Sequence, residues 1–439
     1  MRAALHGGLG AIDPVGQIIP AVAERWLVTD DGLSYIFRLR NSQWPSGDAI
    51  TSGQVRLLLL DNIRRLQDTS LGYDLDKIVD VRAMTGRVIE INLSSPMPEF
   101  LRLLAQPELG LVHDGQGAGP MTGVRDEERA RVRLVPMQPG MRGLPTFEEW
   151  EVNTRAVNLS SMQASDAVDA FASGELDLVL NGRITSFPLA DTGPLSSGTI
   201  RIDAALGLFG LVIRSEEGLL AEAGRREALS MAIDRTTLMQ PFNIDGWQSS
   251  FDIVPRGQWG DVLPEPIAWT SFSIEQRRSE ARGRVEAWEA TSGEEARLTI
   301  GMPNGPGSDL LFRQLARDLS AIGIEATMME EGRGADLELF DPVARYASPR
   351  WFLNQFNCSI RSGPCSAEAD ELVAQSLSAA DLTEKATLLA QAELELQDAS
   401  VFIPFGAPIR WALVRGGVEG FAENPWGLHP LFPLSEPPI

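Results

Sequence analysis

Cys358 and Cys365 are the only thiols in the chain, and they lie within Asn357-Cys358-Ser359-Ile360-Arg361-Ser362-Gly363-Pro364-Cys365. The glycine and proline between them mark a turn, so the two sulfurs can meet as a disulfide; the alternative is a pair of free thiols. A disulfide implies an oxidising compartment. A metal site needs further ligands that this pair lacks, and the three histidines, His6, His113 and His429, are scattered along the chain. The same scarcity leaves few groups able to trade protons near neutral pH. No G-x-S-x-G elbow, H-E-x-x-H pair or phosphate-binding loop with Lys-Ser/Thr is present. Carboxylates abound, but Asp30-Asp31 and Glu330-Glu331 read more simply as solvated turns. These residues point away from an enzyme, a metal site or a bound cofactor.

The charge balance narrows the partners. Sixty acidic residues face 38 basic ones, a formal net charge of -22, which opposes nucleic acid and anionic membrane. Its plain consequence is solubility. No stretch approaches the roughly 20 apolar residues needed to span a bilayer, and Leu57 to Leu60 runs at once into Asp61, Arg64 and Arg65. Met1-Arg2-Ala3-Ala4-Leu5 leads into His6 and glycines without the pattern of a secretory signal.

The elements that must position any site follow from periodicity. Trp26 to Thr29, the turn Asp30-Asp31-Gly32 and Leu33 to Arg40 form a hairpin. Helices are expected over 52–66, 99–105, 164–173, 216–232, 273–290 and 308–322, with long helical periodicity over 370–397. Strands are expected over 88–93, 131–135, 176–180, 206–213, 297–302, 325–329 and 402–405. A glycine-rich turn covers 115–123. From about residue 147 the alternation of strand and helix implies parallel sheet with helices on its faces, and Gly323 stands where a helix C-cap belongs.

Several segments then fall in order. Gly16-Gln17-Ile18-Ile19-Pro20-Ala21-Val22-Ala23-Glu24-Arg25-Trp26, followed by Asp31-Gly32-Leu33-Ser34-Tyr35-Ile36-Phe37-Arg38-Leu39-Arg40, resembles the opening signature of the oligopeptide/dipeptide-binding family of ABC-transporter solute-binding proteins. Gly47 to Val55, Pro98 to Leu101, Gly117 to Met121 and Ser173 to Asp177 are similar to further stretches of that family. Arg226-Glu227-Ala228-Leu229-Ser230-Met231-Ala232-Ile233-Asp234-Arg235 is the most specific match, and Cys365 to Leu372 and Asp398 to Pro404 continue it.

The resemblance implies an α/β chain with the two-lobed periplasmic-binding-protein type II fold of the large, peptide-binding class, with an extra β-rich subdomain. Lobe I would comprise 1–206 plus 405–439, with the β-rich subdomain at 25–150, and lobe II 207–404. Its function would be to capture a peptide or peptide-like small molecule and deliver it to a membrane ABC permease. It would do so as a monomer, in the periplasm or outside the cytoplasm, with no nucleic-acid partner. The family carries a signal peptide and an extra strand and helix before Gly16, so Met1 is expected to lie inside the family fold. The alternatives are a ligand-sensing domain on the same fold and a hydrolase acting in the cleft.

One departure bears on the ligand. Ala335-Asp336-Leu337 through Pro342, Val343, Arg345, Tyr346 and Trp351 aligns with the family's ligand-contact loop, where peptide receptors hold the solute's ammonium group with an aspartate. Here Arg345 stands in that place. A guanidinium prefers carboxylate or phosphate and cannot replace a carboxylate toward an ammonium group, so an anionic or modified peptide is expected. Arg345 in a structural pair with Asp341, or turned to solvent, is the competing reading. Phe209, Leu211, Val212 and Arg214 match another pocket-lining strand, which a buried apolar strand explains equally well. Ten tryptophans against three tyrosines put Trp351, Trp411 and Trp426 forward as cleft aromatics, against core packing.

Overall fold

The computed structural model describes residues 1–127, 131–146, 150–151, 153–190, 198–260 and 262–435. They form two compact units, 1–180 with 413–439 and 181–412.

In the first unit, β1 (Ala23–Val28) and β2 (Ser34–Leu39) form the expected hairpin, with Trp26 opposite Phe37. Asp31 closes the turn by accepting from Thr29 Oγ1 at 2.6 Å and Leu33 N at 3.0 Å, and Gly32 takes φ +69°. Tyr35, Phe37 and Leu39 alternate into the core while Arg38 stays out. α1 (Ser52–Arg65) starts with a reciprocal cap: Thr51 Oγ1 accepts from Gln54 N, and Gln54 Oε1 from Thr51 N. Val55 and Leu59 are its buried residues. β3 (Ile78–Met84) and β4 (Val88–Leu93) complete an antiparallel sheet of order β1-β2-β4-β3. β5 (Met121–Asp126), β6 (Arg131–Pro136) and β7 (Val157–Ser160) form a second antiparallel sheet. α2 (Ala164–Ser173) ends on Gly174 at φ +89°. Ala4, Met121, Leu134, Leu431 and Leu434 share one core cluster, so the last stretch of chain closes on the first.

The chain passes between units inside β8 (Leu178–Arg183), continues through β9 (Ile200–Asp203), and returns inside β15 (Arg410–Val414). The sequence reading divided the chain at 206/207 and 404/405. The segment after Leu180 goes with the second unit because Ile184 and Thr185 touch the start of helix 306–320. A Cβ on Gly305 or Gly307 would lie 2.4 or 2.0 Å from their carbonyl oxygens.

The second unit is built on a five-stranded sheet of order β12-β11-β13-β10-β14. Here β10 is Phe209–Ile213, β11 Arg297–Met302, β12 Glu325–Glu330, β13 Leu337–Phe340 and β14 Phe402–Gly406. β11 runs parallel to β12 and β13, and α7 (Pro306–Ser320) connects β11 to β12. Gly323, at φ +92°, lets Ile324 N reach Leu319 O at 3.1 Å. The expectation of a parallel sheet is corrected in part, since β10 runs antiparallel to both β13 and β14. Every residue of β10 is buried, which is why it reads as an unbroken apolar run.

Two expected helices are broken. Residues 216–232 divide into a 3-10 turn at Gly218–Ala221 and α4 (Ala223–Ala232). Residues 370–397 divide into α9 (Ala367–Gln375) and α10 (Leu382–Asp398). Asp381 starts α10 by accepting from Glu384 N at 2.8 Å, a local bond that outcompetes helical continuation. Further helices of this unit are α3 (Phe187–Ala190), α5 (Arg235–Leu238), α6 (Ile274–Ser292) and α8 (Pro349–Asn354). Among the described residues no helix is long and apolar enough to cross a membrane.

Candidate functional site

Residues 206–208, just before β10, are laced to the segment that follows β13. Leu208 N donates to Pro342 O at 3.0 Å, Ala344 N donates to Leu206 O at 2.7 Å, and Gly207 bridges Val343. A Cβ on Gly207 would lie 2.2 Å from Pro342 O, so glycine alone admits this approach. The lacing fixes Pro342 to Tyr346 against the sheet: Tyr346 is buried, while Pro342, Val343 and Arg345 are partly exposed. Phe209 stands beside them, edge-on to Phe405 at 5.3 Å and Trp247 at 6.4 Å. Trp247 is held by its Nε1 donating to Ala407 O at 2.9 Å.

At the base of this segment Asp341 receives two guanidiniums. Arg410 Nη1 donates to Oδ2 at 2.9 Å and Arg183 Nη1 to Oδ1 at 3.2 Å, while Arg410 Nη2 also reaches the main-chain oxygen of Asp341. Arg410 is nearly enclosed, with a side chain 10% exposed; that of Arg183 is 54% exposed. Burial pulls the Arg410 guanidinium below its ordinary value, and Asp341 opposes that shift.

The backbone of Arg183 is pinned as well. Trp411, buried, donates from Nε1 to Arg183 O at 2.8 Å, and its ring lies 2.1 Å from where a Cβ on Gly182 would stand. Asn181 adopts φ +65°, the left-handed region asparagine tolerates better than most residues.

Of the residues singled out in the sequence, Pro342, Val343, Arg345, Tyr346 and Phe209 come together, and Trp411 adjoins them through Arg183 and Arg410. Leu211 and Val212 lie in the sheet core, and Trp351 packs edge-on against Phe352 at 5.0 Å within α8. Arg214 is five residues beyond Phe209, roughly 16 Å at about 3.3 Å per residue, where its Nε donates to Glu338 Oε2 at 2.7 Å. Cys358 and Cys365 form a disulfide with a Cα–Cα distance of 5.3 Å. Trp426 lies in the first unit, under the Arg102 guanidinium at 4.0 Å.

Sequence reasoning missed Arg183, Asp341 and Arg410 as a group, as well as Trp247. A polar Asn181-Gly182-Arg183 run interrupting an apolar strand was the available signal. The Ile233-Asp234-Arg235 motif proves to be architectural. Asp234 caps α5 by accepting from Thr236 N at 3.0 Å, and fully buried Arg235 donates to Pro404 O at 2.7 Å, tying α5 to β14.

Such an arrangement can grip an anionic group on a small molecule. Among the described residues no group of three or more His, Cys, Asp or Glu is placed to hold a metal ion.

Residues 17–139 match the family described as bacterial extracellular solute-binding proteins, family 5 Middle. The periplasmic oligopeptide-binding protein OppA of Salmonella typhimurium is 24% identical over 476 residues, covering 95% of this chain and 84% of that protein. The chain is thus similar to family 5 solute-binding proteins over that stretch and to oligopeptide-binding proteins over nearly its whole length. OppA of Haemophilus influenzae in complex with the peptide RPPGFSPFR superposes with a TM-score of 0.83 at 17% identity, covering 98% of this chain and 92% of that one. AgaA of A. tumefaciens R10 in complex with agropinic acid gives 0.72 at 16% identity, covering 99% and 92%. These likenesses give the chain the two-lobed type II periplasmic-binding fold, on an α/β framework.

Proposed function

We propose that this chain is the solute-capturing component of an ABC importer, working outside the cytoplasm as a monomer that hands its cargo to a membrane permease. The observation that supports the reading is the segment 342–346, laced to Leu206, Gly207 and Leu208 beside Phe209, in the stretch that resembles the family's ligand-contact loop. Pro342, Val343, Tyr346 and Phe209 supply its shape, and Arg345 its charge. Capture needs only a higher affinity for one conformation than for the other, so no bond in the solute has to change. The solute is a peptide or peptide-like molecule carrying an acidic group, since a guanidinium stands where peptide receptors place an aspartate. A nonapeptide on one relative and agropinic acid on another show that this fold accommodates both chemistries.

Native mass spectrometry of the purified protein tests the reading. An intact small molecule with a carboxylate or phosphate is expected to accompany the protein, and Arg345→Glu should reduce its retention at least tenfold. Retention unchanged by that charge reversal would remove the anionic assignment.

A further inference from the structure

Asp341 is shared unequally by its two arginines. Arg410 is nearly enclosed and takes both a carboxylate oxygen and the main-chain oxygen of Asp341, the pairing that a buried cation requires. That pairing satisfies the acid without Arg183. Arg183 adds one N–H to the other carboxylate oxygen, and its side chain stays more than half exposed. A guanidinium carries five N–H donors, so most of its capacity is left facing outward.

Arg183 is also held unusually firmly for an exposed arginine. Its carbonyl is fixed by the buried indole of Trp411, the preceding Gly182 has no room for a side chain, and Asn181 bends the strand through φ +65°. A cation fixed in advance at both its backbone and its tip loses little freedom on meeting a partner, which is what an efficient recognition group needs.

We propose that Arg183 is a second solute-contacting guanidinium, which together with Arg345 fixes the acidic group of the cargo and makes carboxylate- or phosphate-bearing compounds the preferred class. The inference rests on the solute-capturing function argued above. Asp341 acts as a positioning residue: it turns the fork of Arg183 and keeps its remaining donors available, while Arg410 neutralises the acid from below.

The test is calorimetric titration of the full chain, freed of cargo, with N-succinyl-trialanine amide and with N-acetyl-trialanine amide, which carries no carboxylate. Wild type is expected to bind the succinylated peptide more tightly. Arg183→Gln should weaken that binding roughly ten- to a hundredfold, the loss expected for a charge-assisted contact, and leave the acetylated peptide unaffected. Arg183→Lys, which keeps the charge and loses the fork, should fall between. Arg256→Gln, at an exposed arginine paired with Asp252, should match wild type, and thermal melting checks that each variant is folded.

Undiminished binding of the succinylated peptide by Arg183→Gln would overturn this inference and leave the capturing function standing. Equal affinity of wild type for the two peptides would overturn the anionic preference. Binding of neither peptide, together with purification free of any cargo, would overturn the capturing function itself.

Discussion

Two acids within three residues of each other, Glu338 inside β13 and Asp341 just past it, each gather two arginines, and the two groups end in opposite states. Glu338 accepts from Arg214 at 2.7 Å and faces the charge of Arg361, whose guanidinium lies 4.2 Å above the ring of Phe340. Arg361 is pulled down to about 10, chiefly by burial, with Arg214 adding to the shift and Glu338 opposing it. The loop carrying Arg361 is closed by the Cys358–Cys365 disulfide, and the side chain of Arg214 is only 23% exposed. Asp341 serves one enclosed arginine and one open one. The same residue types therefore build a covered brace in one place and an available cation in the other, and the coverage separates the two roles.

The largest expected effect comes from removing the acid beneath the open cluster. Asp341→Asn leaves enclosed Arg410 without its ion-pair partner and should cost about 3 kcal/mol of stability, together with loss of solute retention. Urea unfolding measures the first, and a loss under about 1 kcal/mol would show that Arg410 does not depend on Asp341.

Glu393 supplies the limiting case of an acid with no arginine bonded to it. It is fully buried in α10, accepts from Val254 N at 2.8 Å and has no partner for Oε2. Burial pushes its carboxyl up to about 8, with Asp252 adding to the shift and Arg256 opposing it. A carboxyl raised on folding contributes stability that is whole below its unfolded value near 4.5 and is lost as pH climbs toward about 8. Glu393→Gln should remove this loss, stabilising the protein on the order of 3 kcal/mol at alkaline pH and little in acid. Parallel pH-stability curves for the two proteins would refute the assignment.

Replacing both cysteines by serine should cost about 2 kcal/mol, the loop-closure contribution of so short a ring, and leave solute affinity unchanged. A matching loss of affinity would mean that the covered brace takes part in recognition. The smallest change is expected from Glu338→Gln, about 1 kcal/mol, because Arg214 can still reach water. Its solute binding should equal that of wild type in calorimetry.

Legibility in the sequence followed locality. The β1–β2 hairpin and the β11-α7-β12 unit were readable because turn residues, caps and periodicity act over a few positions. The antiparallel setting of β10 was not, since strands buried on both faces show the same apolar run in either direction. The stretch 335–352 could be aligned with the family's ligand-contact loop from its motif, and the solute contact of Arg345 stands as a proposal. The Asp341 cluster could not be seen, because its arginines lie 158 and 69 residues from the acid and no local pattern joins them. Arg214 reads as a site residue from the strand it ends; in the structure it lies at the far end of β10, bonded to Glu338.

The second unit interrupts the first, and that has a consequence for the order of synthesis. Residues 181–412 are all present before 413–435 have left the ribosome, whereas the first unit must wait for Leu431 and Leu434 to fill its core and for Asn424 Nδ2 to reach Pro14 O at 3.2 Å. A nascent chain thus holds a finishable second half inside an unfinished first, and residues 413–435 act as the closing stitch.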